Sequence, residues 1–378
     1  MYIYRLLRTS LYPLTCPIVR FFQTGALLNS ETKIGNTTAK ITEEPCRQFK
    51  HASLGERSII RISGSDAISF VQGLITNDVN HLMDNGSTAV SRSCIYTFML
   101  NSSGRIITDL FIYCPNKTDE LLLEVDSDLV IRLCSLLKRY KIRRKVEIQH
   151  DPTYKISVIY PEFPESCQIV SIGTNVSTVN DKYMIVNDPR CIQIGYRIVN
   201  VVANSSSSPS VTPTSIFTDN NEFFKSITIE NVQSTNYRYY RYRLGLGEGS
   251  LDFPPESIFP FEANADLLNA ISFQKGCYLG QELTARTYHT GVIRKRMVPI
   301  QFLTDDDIDL SNLSTQNVIS EKKRIIGKFR TNFGKYGLAS LKYVEIFNEN
   351  SENYQLKLDQ TGHFIRTWKP FWWPDQII

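Results

Sequence analysis

The chain has 378 residues, enough for two or three domains, and its 42% hydrophobic and 21% charged content is ordinary for a soluble globular fold. The formal charge of +4 falls by three when residues 1–30, with Arg5, Arg8 and Arg20 and no acid, are set aside, so the body is close to neutral and carries no nucleic-acid footprint. No apolar run approaches the roughly 18 residues that a membrane span needs.

The acid-free start, bearing arginines, Ser/Thr and aliphatics, has the composition of a mitochondrial transit peptide and predicts a matrix location. Cleavage is expected near Arg20 to Gln23, and residues 1–46 are read as presequence plus linker. Residues 58–63 predict a strand. Ala67, Ile68, Val71, Leu74 and Ile75 fall at helical spacing and predict a helix over 65–79, capped by Ser65 or Asp66 and ending at Asp78. Residues 97–113 read as a hairpin turning at Asn101 to Gly104, and 121–125 as another strand. Asp126 or Ser127 then caps a helix with Leu129, Leu133, Leu136, Leu137 and Tyr140 on one face. Its basic end, residues 138–145, is either a solvated turn favoured by the helix dipole or an anion-contacting edge. With a strand at 146–148, this pattern predicts an α+β lobe with an antiparallel sheet over 47–150. A second lobe is expected over 151–296, with an exposed low-complexity loop at 204–215 and an extended, proline-rich connector at 251–260. From Met297 the pattern changes to short strands broken by glycines, with an acidic insert at 305–314. It predicts a small β-barrel-like domain over 297–378.

Eight cysteines stand singly, with no CxxC pair and no HxxxH pair, so a self-contained zinc or cluster site is poorly supported. "GLGEG" (245–249) lacks the third glycine and following helix of a dinucleotide loop. Asp78 and Asp109 are open to two readings, as cavity-lining groups or as caps and surface residues. "KGCYLGQE" (275–282) holds the most informative thiol. Gly276 and Gly280 flank Cys277, and Lys275 and Arg286 supply cations that favour a thiolate. A nucleophile, a ligand to a shared metal centre and a buried structural cysteine are all compatible with this pattern.

"KGCYLGQELTAR" (275–286) matches K-G-C-[FY]-x-G-Q-E-x-x-x-R, the signature of the YgfZ group in the folate-binding, GcvT-like superfamily. "FVQGLITNDV" (70–79), "YRYRLGLGEG" (240–249), "TYHTGVIRKR" (287–296) and "FGKYGLASL" (333–341) add to the likeness, which runs from about residue 50 to the end. With its presequence the chain resembles the mitochondrial iron–sulfur assembly factors of the Iba type, also labelled transferases of the Caf type. That resemblance implies a folate-binding body of two α+β lobes with a small C-terminal β-barrel. It also implies a late role in [4Fe–4S] maturation, with A-type carrier proteins as partners and [4Fe–4S] apoproteins such as aconitase, lipoate synthase and radical-SAM enzymes downstream. Cys277 would then be a functional thiol and shared ligand to a transient [2Fe–2S] or [4Fe–4S] cluster. Gly276, Tyr278, Gly280, Gln281 and Glu282 would shape its loop, and Asn77, Asp78, Asp109 and Arg243 would face tetrahydrofolate. The glutamate of the aminomethyltransferase R-L-E-A-G is Gly245 here, and its paired D-D is Thr108-Asp109. Glycine cleavage is therefore disfavoured. A folate-dependent one-carbon transferase, with Asp109 as acid/base, is the alternative function.

Overall fold

A computed structural model describes residues 46–83, 93–115, 119–166, 169, 183–201, 227–304, 316–347 and 355–375. The expected presequence, the 204–215 loop and the 305–314 insert lie outside the described residues.

Two five-stranded sheets and a closed barrel make up the body. The strands in chain order begin with β1 (Gln48–Ser53) and β2 (Arg57–Ser63). They continue with β3 (Cys94–Leu100), β4 (Ile106–Tyr113), β5 (Glu120–Asp126), β6 (Glu147–Asp151) and β7 (Tyr154–Pro161). The first sheet has the antiparallel order β3-β4-β5-β2-β6. One of its faces carries Ile60, Ile62, Ile95, Leu121, Leu123 and Val125. These pack against Phe70 and Val71 of helix α1 (Ala67–Gln72) and Leu133 and Leu137 of α2 (Val130–Lys141). Period-2 strands facing period-3.6 helices form the expected core. The opposite face is buried as well, and it holds Arg57, Asp109, Tyr113 and Glu124.

The second sheet adds β8 (Tyr183–Asn187), β9 (Tyr196–Val201) and β10 (Thr228–Val232) in the order β10-β1-β7-β9-β8, with β1 parallel to β10. Chain order thus misleads at one point. β1 falls in the stretch expected for the first lobe, yet it pairs with β7 and β10. Helix α3 (Ser234–Leu244) follows and ends at Gly245 in the left-handed region, φ 74°. A Cβ there would meet Pro299 Cδ at 2.7 Å, so glycine is required.

β11 (Arg296–Phe302), β12 (Asn317–Ser320), β13 (Ile325–Phe333), β14 (Tyr336–Leu341), β15 (Leu356–Leu358) and β16 (Phe364–Thr367) close the barrel in the order β11-β14-β13-β12-β15-β16. The predicted α+β body with a C-terminal barrel is what the chain forms.

Two local expectations change. The helix over 65–79 stops at Gln72, because Gly73 caps it and Ile75 bridges to Met99 of β3. Asp78 therefore ends no helix; it opens a 3-10 turn (Val79–Leu82), where its carboxylate accepts from Asn80 N. The connector at 251–260 begins inside a helical turn, α4 (Gly249–Asp252), before becoming irregular.

Candidate functional site

The KGCYLGQE loop runs into helix α5 (Gln281–Thr290) and lies on the first sheet, although chain order groups it with the second lobe. It is fastened at several points. Ser272 N donates to Thr76 O at 3.0 Å and Leu279 N donates to Gly73 O at 3.0 Å. Lys275 Nζ donates to Gln72 O, Ile75 O and Asn77 O, each at 2.7 Å. The last carbonyls of a helix have no partner within it. Here the three donors of one ammonium satisfy the carbonyls at and just beyond the end of α1. Burial pulls the pKa of Lys275 down to about 8, against the opposing charge of Asp78. Its Nζ also lies 5.0 Å from the centre of the Tyr278 ring.

Gly280 is the next fastening. Its φ is +78°, and a Cβ would lie 2.3 Å from Asn101 O and 2.9 Å from Leu100 Cβ. Gly104, at the hairpin turn, faces it, and a Cβ there would lie 3.1 Å from Gly280 O. Two glycines therefore let the loop and the hairpin turn touch. Gln281 Oε1 accepts from Tyr278 N at 3.0 Å, closing the turn before α5. Glu282 and Arg286 are exposed on α5, and neither makes a salt bridge among the described residues.

Between these fastenings Gly276 and Cys277 are exposed. A Cβ at Gly276 would meet nothing within 4 Å. Of the described cysteines, Cys94 and Cys114 are buried, Cys46, Cys134 and Cys191 are half-buried, and Cys277 is exposed. Two roles expected from the sequence shift accordingly. Lys275 spends its donors on backbone carbonyls, and Gly280 is required by contact with the hairpin rather than by access to the sulfur. Among the described residues no three His, Cys, Asp or Glu side chains converge as a metal site.

A second polar centre joins the two sheets. Arg57 Nε donates to Glu124 Oε1 at 2.8 Å, and Arg197 of β9 also pairs with Glu124 and, at 3.2 Å, with Glu248. Arg190 pairs with Asp188 at 2.8 Å and with Glu248 at 2.9 Å. Burial pushes the Glu248 carboxyl up, but Arg197, Arg190, Arg241 and Arg57 together hold it well below the usual range. The sequence reading missed this cluster. Its signal is a charge at the head of or within an apolar strand run, Arg57 opening "RSIIRIS" and Glu124 inside "LLLEV".

Each of the four residues assigned to folate has a partner within the chain. Asn77 Nδ2 donates to Tyr96 O and Asn269 O, and its Oδ1 accepts from Asp78 N. Asp78 Oδ1 accepts from Gln72 Nε2 and Asn80 N. Arg243 donates to Glu162 O and lies 5.0 Å from the Phe163 ring, whereas Asp109 is fully buried beside Arg57. Asp109 Oδ1 accepts from Gly249 N at 3.1 Å, while Oδ2 is buried with no hydrogen-bond partner. Burial raises the Asp109 pKa, Arg57 opposes the rise, and Glu248 adds to it.

Residues 294–375 match the model of the CAF17 C-terminal beta-barrel domain. The fold is similar to that of the glycine cleavage system aminomethyltransferase T of Bartonella henselae, with a TM-score of 0.60, 11% identity and 86% of each chain covered. The chain is 32% identical over 296 residues to the mitochondrial iron-sulfur cluster assembly factor IBA57 of Mus musculus, covering 76% of each chain. It is 32% identical over 331 residues to the Homo sapiens protein of that name, covering 85% of this chain and 84% of the other. Identity of 32% over most of the chain to two such factors, with a barrel that matches its own domain model, shows that the chain belongs to the IBA57 family of mitochondrial iron–sulfur cluster assembly factors.

Proposed function

We propose that this protein works in the mitochondrial matrix as a late-acting factor in [4Fe–4S] maturation, with Cys277 as a cluster ligand shared with an A-type carrier. The observation that carries this reading is the loop geometry: a solvent-reachable thiol beside an open Gly276, on a backbone held rigidly to α1 and the β3–β4 hairpin. One cysteine cannot hold a cluster that needs about four protein ligands. With no ligand group converging among the described residues, the other ligands come from a second protein. The cluster is cargo, passed on to [4Fe–4S] apoproteins.

Tetrahydrofolate is the cofactor that the resemblance implies, and Asn77, Asp78 and Arg243, three of the four residues expected to hold it, hydrogen-bond within the chain. No step of the proposed function runs through it. Asp109 Oδ2 is the buried acceptor left open, and calorimetry with tetrahydrofolate on wild type and Asp109→Asn tests whether it takes a donor from that ligand.

The assembly reading is tested by anaerobic mixing with a cluster-loaded A-type carrier, followed by visible absorption and size exclusion. Wild type should form a coloured heterocomplex, and Cys277→Ser should fold normally yet lose the colour. A coloured complex of undiminished intensity with Cys277→Ser would remove the thiol from the function.

A further inference from the structure

We propose that the outer face of the barrel carries a separate small-molecule site, for a planar heteroaromatic ring bearing an anionic group. The strand register builds it. Gln301 of β11 stands directly opposite Tyr336 of β14 on one side and Arg366 of β16 on the other. Directly opposed residues share a face, so Tyr336, Gln301 and Arg366 form a row across three strands. Trp368 lies two residues beyond Arg366, and its ring meets that of Tyr336 edge-on, with centroids 6.0 Å apart at 82°. With Thr367 these residues line an open pocket of about 340 Å³. That is within the roughly 300–1,000 Å³ range of small-molecule clefts.

The pocket is preorganised. Tyr336 is buttressed from behind by Tyr239 of α3, with ring centroids 4.8 Å apart. Arg366 Nε donates to Gln301 Oε1 at 2.8 Å, which orients the guanidinium. Its Nη1 and Nη2 make no hydrogen bond or ion pair among the described residues, so the fork is available to a carboxylate or phosphate. Lys335 Nζ, 5.8 Å from the Tyr336 ring centre, adds positive charge, and among the described residues no acid lines the pocket. An aromatic corner beside one aimed, unpaired guanidinium selects a flat ring with a single anionic group. A nucleoside monophosphate has this chemistry. One free fork on a nearly neutral body does not suit a nucleic-acid strand.

The test uses the full chain with AMP, adenosine and inorganic phosphate as probes, read by calorimetry and ligand-observed NMR. AMP should saturate the wild type. Arg366→Gln should weaken AMP about tenfold and leave adenosine unchanged, because it removes only the charge-assisted bonds. Trp368→Ala should weaken both. Thermal unfolding checks that both variants fold, and both should still form the coloured complex with the carrier, which separates this site from the thiol. The proposal is overturned if AMP fails to saturate at millimolar concentration or both variants bind AMP like wild type. Phosphate binding as tightly as AMP overturns it too, since the ring would then contribute nothing.

Discussion

Replacing Lys275 by methionine keeps the length and apolar stem of the side chain and removes its three donors. Three carbonyl oxygens, each 2.7 Å from Nζ, then lose their partner. A hydrogen bond to a charged group contributes about 1.5–3 kcal/mol net. Three such bonds would exceed what single substitutions usually show, but two effects offset them. The ammonium is no longer desolvated, and the loop can lift enough to admit water. The expected loss is roughly 2–4 kcal/mol. With an unfolding entropy of about 2 cal/mol/K per residue, this lowers Tm by roughly 3–6 °C. Amide exchange should accelerate first at Leu279 and Ser272, whose N–H groups bond Gly73 O and Thr76 O. Titration gives an independent check. Burial lowers the Lys275 pKa to about 8 from 10.5, so between those values the native state binds fewer protons than the unfolded chain. The stability contributed by this group is full above 10.5 and is lost as pH falls through about 8. The gap in Tm between wild type and Lys275→Met should therefore widen as pH rises from 7 to 10. A variant within about 0.5 kcal/mol of wild type, with a gap independent of pH, would refute the idea that this lysine anchors the loop.

Gly280→Ala forces a side chain into the left-handed region against Asn101 O, and chemical denaturation should show a loss of roughly 2–3 kcal/mol; Gly276→Ala, facing open space, should stay within about 0.5 kcal/mol. Arg197→Met removes one of the two buried arginines that bridge Glu124 and Glu248, Arg57 being the other, and urea unfolding should report a loss of about 3–5 kcal/mol. Asp109 has its pKa raised by burial, so its contribution to stability is present below the ordinary carboxylate value and is lost as pH rises through the raised one. Asp109→Asn should remove that slope, so calorimetric Tm should fall less between pH 4 and pH 7 in the variant than in wild type.

Local periodicity made much of this fold legible. The β3–β4 hairpin, β5, α2 and the change of pattern at the barrel follow from residues within reach of one another along the chain. What was not legible depends on contacts across long separations. β1 falls in the stretch expected for the first lobe, and only its pairing with β7 and β10 puts it in the second sheet. The helix expected to reach Asp78 stops early because Gly73 and the Ile75–Met99 bridge turn the chain toward β3. Arg57 and Glu124 have their partners on neighbouring strands and on β9, where no sequence window sees them.

The same limit applies to the KGCYLGQE stretch. In sequence, Lys275 is two residues from Cys277, and that spacing assigns its charge to the sulfur. In space its ammonium faces carbonyls some 200 positions earlier, and Gly280 faces a turn some 180 positions earlier. The motif therefore divides by task. Lys275, Gly280 and Gln281 fix the backbone, while Gly276 and Cys277 are what that backbone presents to solvent. A shared cluster places strict demands on ligand position, because a sulfur displaced by an ångström no longer closes the metal's coordination from the partner's side. Substitutions at the fixing residues should then reduce cluster sharing in proportion to how far they loosen the loop, even with Cys277 intact. Loss at Cys277 should be complete without any loss of stability. That separation, between variants that unfold the loop and one that only removes the sulfur, distinguishes a positioned ligand from a cysteine that happens to be exposed.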